Sequence, residues 1–191
     1  YDEIWIEKIE QNIVKFGSII YQNRFEYILT INKILEKLIK TKQFSQNFFL
    51  KIYDQFLDSH PKIFEDQDMY LSKMKNSRKQ DFFSGGCTIG PHRSDLTGFS
   101  LINNFNINQF STGQQKTVIL LIIISQCKYL INSLKLKPII LLDEICSHLD
   151  NVNRELLLYL VNELDVQSFM TGTQESFFSF LSTKANYCNI T

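Results

Sequence analysis

Apolar residues recur near the start of the chain at Ile6, Ile9, Ile13, Phe16 and Ile20, then at Tyr27, Ile31, Ile34 and Leu38. Steps of three, four and seven put these side chains on one face of a 3.6-residue helix, so residues 3–40 read as one long helix or two abutting ones. Gly17 lies inside it, tolerated at about 1 kcal/mol relative to alanine. Such a seam can line a core, pair with another helix or form a projecting arm, and ordinary packing within the chain is the simplest of these.

The aromatic, loosely alternating stretch NFFLKIYDQF (47–56) reads as a strand. EDQDMYLSKMKNSRKQD (65–81) has neither Gly nor Pro and reads as an exposed helix whose Lys and Arg form a solvated face. At SGGCTIGPHRSDLTG (84–98), which holds four of the seven glycines, the composition shifts and a domain boundary is expected. Beyond it come strands at 87–90 and 96–101, a turn at Asn103-Asn104, a helix at 113–131 and a strand at 138–143. A helix at 151–163, a strand at 166–171, a helix at 175–183 and a last strand NYCNI complete the order. Strands alternating with helices on this scale predict an α/β fold.

Composition removes several function classes. Twenty Lys and Arg balance twenty Asp and Glu, so no global field draws the chain to nucleic acid or to a membrane surface, and any basic patch is local. Cys87, Cys127, Cys146 and Cys188 are scattered and form no C-x-x-C pair, which argues against a zinc site and fits a reducing cytoplasm. The apolar run VILLIII (118–124) is far shorter than the ~20 residues of a spanning helix, so no membrane association is expected. The chain opens on Tyr1 rather than Met, which suggests a piece of something longer.

The chemistry concentrates in two strings. PIILLDEICSHLD (138–150) is an apolar strand ending in Asp143 and Glu144, adjacent carboxylates that are costly to desolvate without a cation beside them. This is the Walker B pattern, in which the Asp holds Mg²⁺ and the Glu orients or deprotonates an attacking water, although acids also close many ordinary strands. In FSTGQQKT (110–117), Ser111 and Gln114 stand in capping-box spacing at a helix start, so a hydroxyl and free backbone N–H groups gather where an anion can bind. A plain helix cap would not account for the Walker B strand some thirty residues on. No glycine is followed by Lys, so the phosphate loop G-x-x-x-x-G-K-[ST] is absent from these residues.

GPHRSDL (90–96), STGQQK (111–116) and IILLDEICSHLD (139–150), in this order, resemble the C-terminal half of the RecF family, SMC-like members of the ABC ATPases. The resemblance extends back through WIEKIEQNIVKFGSII (5–20) and forward through QSFMTGTQ (167–174). It implies the C-terminal lobe of an ABC/SMC-like ATPase head, a P-loop fold lacking its Walker A half, over 83–191, with a mainly helical arm carrying a short strand over 1–82.

It further implies ATP and Mg²⁺ as cofactors. Ser111, Thr112, Gly113 and Gln114 would meet the γ-phosphate held by a partner subunit, Asp143 would hold the metal and Glu144 would be the catalytic base. Asp150 would be the D-loop acid, and Thr171 or Thr173 would stand where other ABC proteins carry a switch histidine. RecF proteins often carry Asp-Asp where this chain has Asp143-Glu144, the commoner ABC form. His92 and Arg93 would contact DNA or phosphate, or Arg93 would pin the Gly-Pro turn through Asp95.

The implied function is ATP-driven homodimerisation on DNA at single-strand/double-strand junctions. That activity would support recombinase loading with RecO and RecR, replication and SOS induction, with weak DNA-stimulated ATPase activity once the Walker A half is present. Two alternatives stay open: an incomplete, non-enzymatic fragment that needs its N-terminal half, and another SMC-like ATPase.

Overall fold

The computed structural model describes residues 2–42, 44, 46–144, 149, 151–181 and 185–189. Packing divides the chain into two compact units, Tyr1–Asn32 with Phe48–Asn104, and Lys33–Asn47 with Phe105–Thr191. This is a division by contacts, whereas the arm and head of the sequence reading are divided by motif.

The first unit is built on α1 (Glu3–Lys42), a single helix that continues into the second unit. Its buried stripe runs through Glu10, Val14, Gly17, Ser18 and Tyr21, whereas Ile9, Phe16 and Ile20 are exposed. The buried face is therefore turned by about one residue from the apolar seam read in the sequence. Small and paired residues cause the offset. An added Cβ at Gly17 would stand 2.9 Å from the Tyr70 hydroxyl, so α3 (Gln67–Ser84) approaches α1 at a point only glycine allows. Glu10 is buried because Arg78 of α3 donates two hydrogen bonds to its carboxylate, at 2.7 and 2.6 Å. Lys75 pairs with Glu7 at 2.5 Å, so two cations expected on a solvated face instead fasten α3 to α1.

Val14, Tyr21, Ile63, Tyr70 and Met74 form the core of this unit. Asp54 lies in it at 1% exposure, the N-cap of α2 (Gln55–Ser59), and accepts from the Tyr21 hydroxyl at 2.8 Å and the N–H groups of Phe56 and Leu57. β1 (Phe48–Tyr53) and β2 (Asp95–Ser100) pair antiparallel, from Phe48 opposite Ser100 to Tyr53 opposite Asp95. The side-chain amide of Asn32 pairs with both the N–H and the carbonyl of Leu50, each at 2.8 Å, and covers the other edge of β1.

The strand expected at 87–90 does not form. The Asp81 carboxylate takes the Thr88 N–H and hydroxyl, the Cys87 thiol donates to the Ile89 carbonyl and a His92 ring nitrogen lies 2.8 Å from the Cys87 carbonyl, so local bonds bend the segment out of any ladder. Nor is the Gly-Pro turn pinned by Arg93 and Asp95. Arg24 holds it instead, donating to the Pro91 carbonyl at 2.6 Å and the Ser94 hydroxyl at 3.0 Å, while Asp95 accepts from its neighbour's N–H.

In the second unit, α4 (Thr112–Leu134) buries Val118, Leu121, Ile124 and Cys127, and α5 (Asn151–Glu163) buries Leu157, Leu158, Leu160 and Val161. By length and composition alone α4 is apolar enough to cross a membrane, a test that the core helix of a water-soluble fold also passes. β3 (Ile140–Leu142) and β4 (Ser168–Met170) pair parallel, Leu142 opposite Met170. Ile140 and Leu142 are buried on one face, while Leu141 and Phe169 on the other are 74% and 53% exposed. The expected helix at 175–183 is a 3₁₀ segment over Glu175–Leu181, and residues 185–189 form no strand.

Candidate functional site

Two parallel strands end on the same edge, and that fixes what stands at it. Asp143 follows β3 and Thr171 follows β4, one step beyond the Leu142–Met170 pair, with the Thr171 N–H bonded to the Leu142 carbonyl at 3.0 Å. The Thr171 hydroxyl donates to Asp143 Oδ1 and accepts the Glu144 N–H at 3.0 Å. One side chain therefore fixes the carboxylate of the first acid and the backbone of the second. Glu144 itself has φ 48°, a left-handed conformation that a non-glycine residue holds only when its surroundings impose it. All three residues are exposed.

Thr171 thus stands with the acid pair, while Thr173 is exposed and bonds to neither acid. The sequence offered both as phosphate contacts and did not foresee the bridge. The signal was present, since the strings LLD and FMT align once the two strands are paired parallel and in register. Asp150 lies outside the described residues.

A second constellation stands at the N-terminus of α4. The N-cap Ser111 accepts the Gln114 N–H on its hydroxyl at 3.4 Å, and the Gln114 side-chain carbonyl takes the Ser111 N–H at 2.9 Å, completing the capping box. Asn106 and Gln109 form another capping box five residues earlier, which the sequence reading missed although N-x-x-Q repeats the same spacing. Gln115 then ties the two together by donating to the Asn108 and Phe110 carbonyls at 2.9 and 3.0 Å. Ser111, Thr112 and Gln114 remain exposed and Gly113 is half-buried, so a rigid, outward-facing helix tip results. The positive end of the α4 dipole lies there, with Lys116 just past its first turn.

As a metal centre, the acid edge suits a hard cation. Thr171 occupies Asp143 Oδ1, while among the described residues Oδ2 accepts no hydrogen bond, an oxygen of the kind Mg²⁺ takes singly when water and phosphate complete its shell. Among the described residues no group of three His, Cys, Asp or Glu side chains is poised to cage a metal by itself.

No protein-family model matches the chain. The DNA replication and repair protein RecF of Rhizobium johnstonii (strain DSM 114642 / LMG 32736 / 3841) is 30% identical over 191 residues, all of this chain and 51% of its own length. RecF of Agrobacterium fabrum (strain C58 / ATCC 33970) is 29% identical over 191 residues, again all of this chain and 50% of its own. The solved structure of the recombination mediator protein RecF-ATPrS in the RecFOR pathway superposes with a TM-score of 0.70 at 24% identity, covering 93% of this chain and 47% of that one. The corresponding RecF-ATP structure gives 0.68 over 91% of this chain. The chain is similar to RecF from end to end, spans about half the length of the curated relatives it matches, and shares the fold of the matching part of the RecF structures.

Proposed function

We propose that this chain, similar along its whole length to half of RecF, is the signature-bearing part of an ATP-dependent DNA replication and repair protein. In it, residues 1–82 serve as the arm and 83–191 as the C-terminal lobe of the head. The observation that carries this is the Asp143–Thr171–Glu144 constellation at the carboxyl edge of a parallel strand pair, where α/β sheets bind their ligands. The bare apolar face of Leu141 and Phe169 supports it too, because parallel sheets are normally covered on both faces and this pair is an unfinished sheet.

In this reading Asp143 would hold Mg²⁺ through its second oxygen, and Glu144 would take the proton of the attacking water or orient it. ATP with its magnesium would supply an electrophilic γ-phosphoryl group and the negative charge that the helix tip attracts. Ser111, the N–H groups of Thr112 and Gly113 and the side-chain amide of Gln114 bind phosphate oxygens of the nucleotide carried by a second copy, and α4's dipole adds to that attraction. Asp150, by the same resemblance, would be the D-loop acid. Thr171 positions the acid pair rather than meeting the phosphate itself. DNA at single-strand/double-strand junctions is the partner held by the closed dimer, with RecO and RecR as the proteins it serves in recombinase loading, in the cytoplasm. SOS induction would follow from that role.

The test joins the chain to the N-terminal half of a RecF relative and follows dimerisation and DNA retention with and without ATP. ATP should drive both, Glu144→Gln should prolong the closed state, and Ser111→Arg should abolish it. Identical behaviour of both variants and the parent would overturn the reading. The 191 residues alone should bind Mg-ATP only weakly by calorimetry, because carboxylates without a phosphate cradle hold nucleotide poorly.

A further inference from the structure

We propose that the outward face of α1 in the first unit, formed by Trp5, Ile9, Phe16, Ile19 and Ile20, docks a helix supplied by the N-terminal half that RecF relatives carry. Trp5 is 62% exposed and Phe16 57%, and the three isoleucines are exposed as well. The core of the unit lies on the other side of the helix, at Val14 and Tyr21 with the glycine contact at Gly17, so folding of the unit does not account for the stripe. Single exposed apolar residues are ordinary, whereas a contiguous row of them marks an interaction surface.

The spacing selects a helix as the occupant. Trp5, Asn12 and Ile19 recur every seven residues, and Ile9 and Phe16 do the same between them, which is the alternation of a coiled-coil seam. Asn12, the polar member, turns its amide onto the Lys8 carbonyl at 3.1 Å. From Trp5 to Ile20 the seam runs about 23 Å at 1.5 Å per residue, so a helix of about sixteen residues covers it.

The length and position of the unmatched chain in the relatives say where that helix comes from. RecF of Rhizobium johnstonii and of Agrobacterium fabrum are matched over 51% and 50% of their own length, and this chain resembles their C-terminal half. In them about as many residues again lead into the position of α1's first turn. The stripe begins in that turn, at Trp5, so a preceding helix reaches it through a short connection and runs back along α1 as the other arm of a helical hairpin.

A second copy of this chain fits the seam badly. Lys8 and Lys15 flank it on one side and Ile6 and Ile13 on the other, and flanking positions decide the partner of such a seam. Two copies run antiparallel set lysine against lysine, and two run parallel set lysine against isoleucine. The inference rests on the reading of the chain as half of a RecF-like protein. It does not depend on ATP-driven closure.

Trp5 is the chain's single tryptophan, so its fluorescence reports on the stripe directly. The experiment adds to the 191-residue chain a synthetic peptide of the roughly 25 residues that precede the matched region in Rhizobium johnstonii RecF, with any tryptophan in it replaced by phenylalanine. Trp5 emission should shift to the blue and its quenching by iodide should fall, both saturating with peptide. Phe16→Gln should weaken the peptide roughly 10- to 100-fold with an unchanged melting temperature. Leu29→Gln, exposed on α1 beyond the end of the stripe, should bind as the parent does. No shift, or equal affinity in Phe16→Gln and the parent, would overturn the proposal. Self-association of the parent that Phe16→Gln abolishes would overturn it too, giving the stripe to a second copy. In the protein joined to that relative's N-terminal half, its tryptophans replaced likewise, Trp5 shielded from iodide without ATP-driven dimerisation would sustain the docking surface and remove the clamp. ATP-driven dimerisation with Trp5 still quenched as in the 191-residue chain would do the reverse.

Discussion

The hydroxyl of Thr171 donates to Asp143 and accepts the N–H of Glu144, joining residues 28 and 27 positions apart in the chain. Removing that hydroxyl with Thr171→Val frees the Glu144 amide, and one hydrogen bond is worth about 1 kcal/mol. Hydrogen exchange at Glu144 should then rise roughly 5-fold, with Thr171→Ser close to the parent. Equal exchange in Thr171→Val and the parent would show that the bridge does not hold the backbone.

Gly17 and Tyr70 give a second prediction. The Tyr70 hydroxyl is buried with no hydrogen-bond partner among the described residues and stands 2.9 Å from a Cβ placed at Gly17. Gly17→Ala should destabilise the fold by about 1–3 kcal/mol in spite of alanine's better helix propensity. Tyr70→Phe should cost little by itself and should rescue Gly17→Ala, because it removes the clashing atom and an unsatisfied polar group together. Urea denaturation of the two single variants and the double variant measures the coupling, and strict additivity would refute it.

The Glu10–Arg78 pair should behave as a partly buried bridge. The Glu10 side chain is 7% exposed and the Arg78 side chain 35%. Arg78→Met leaves a carboxylate desolvated without its partner and should cost about 3 kcal/mol, whereas Glu10→Gln with Arg78→Met should recover much of the loss. A double-mutant cycle with no coupling would count against the pair.

Alkaline stability should report on the first unit's core. Burial, then the hydrogen bond to Asp54, pushes the Tyr21 phenol well above its ordinary value of 10.0. Burial, with Cys87 and Asp54 nearby, does the same to Tyr70. In the unfolded chain both phenols ionise near pH 10, whereas the folded chain keeps the protons, so stability is intact below that pH and falls as pH rises past it. Each proton contributes a slope of about 1.4 kcal/mol per pH unit. Tyr21→Phe should make the decline above pH 10 shallower, as read by urea denaturation alongside tyrosinate absorbance, and an unchanged slope would exclude Tyr21 from it.

Periodicity made α1, α4 and α5 legible in the sequence, and aromatic alternation did the same for β1. What it could not show was orientation: hydropathy assigned Ile9, Phe16 and Ile20 to the core of α1, while Gly17, Ser18 and a salt-bridged Glu10 hold that place. Close approach and charge pairing depend on what lies opposite, which a single helix does not record. The false strand at 87–90 has a similar origin, since its fate was decided by the Asp81 carboxylate on the preceding helix. At the candidate site, the S-x-x-Q cap and the acid pair were readable because each is local, and the Thr171 bridge was not, because it needs two strands side by side.

α1 carries one unbroken run of backbone hydrogen bonds through position 32–33, where packing assigns the residues on either side to different compact units. A protease seeking a loose linker finds none at that crossing, and no truncation there yields a unit with an intact N-terminal helix. Cutting between the two units at that crossing would break a 40-residue helix, a rod of about 60 Å at 1.5 Å per residue.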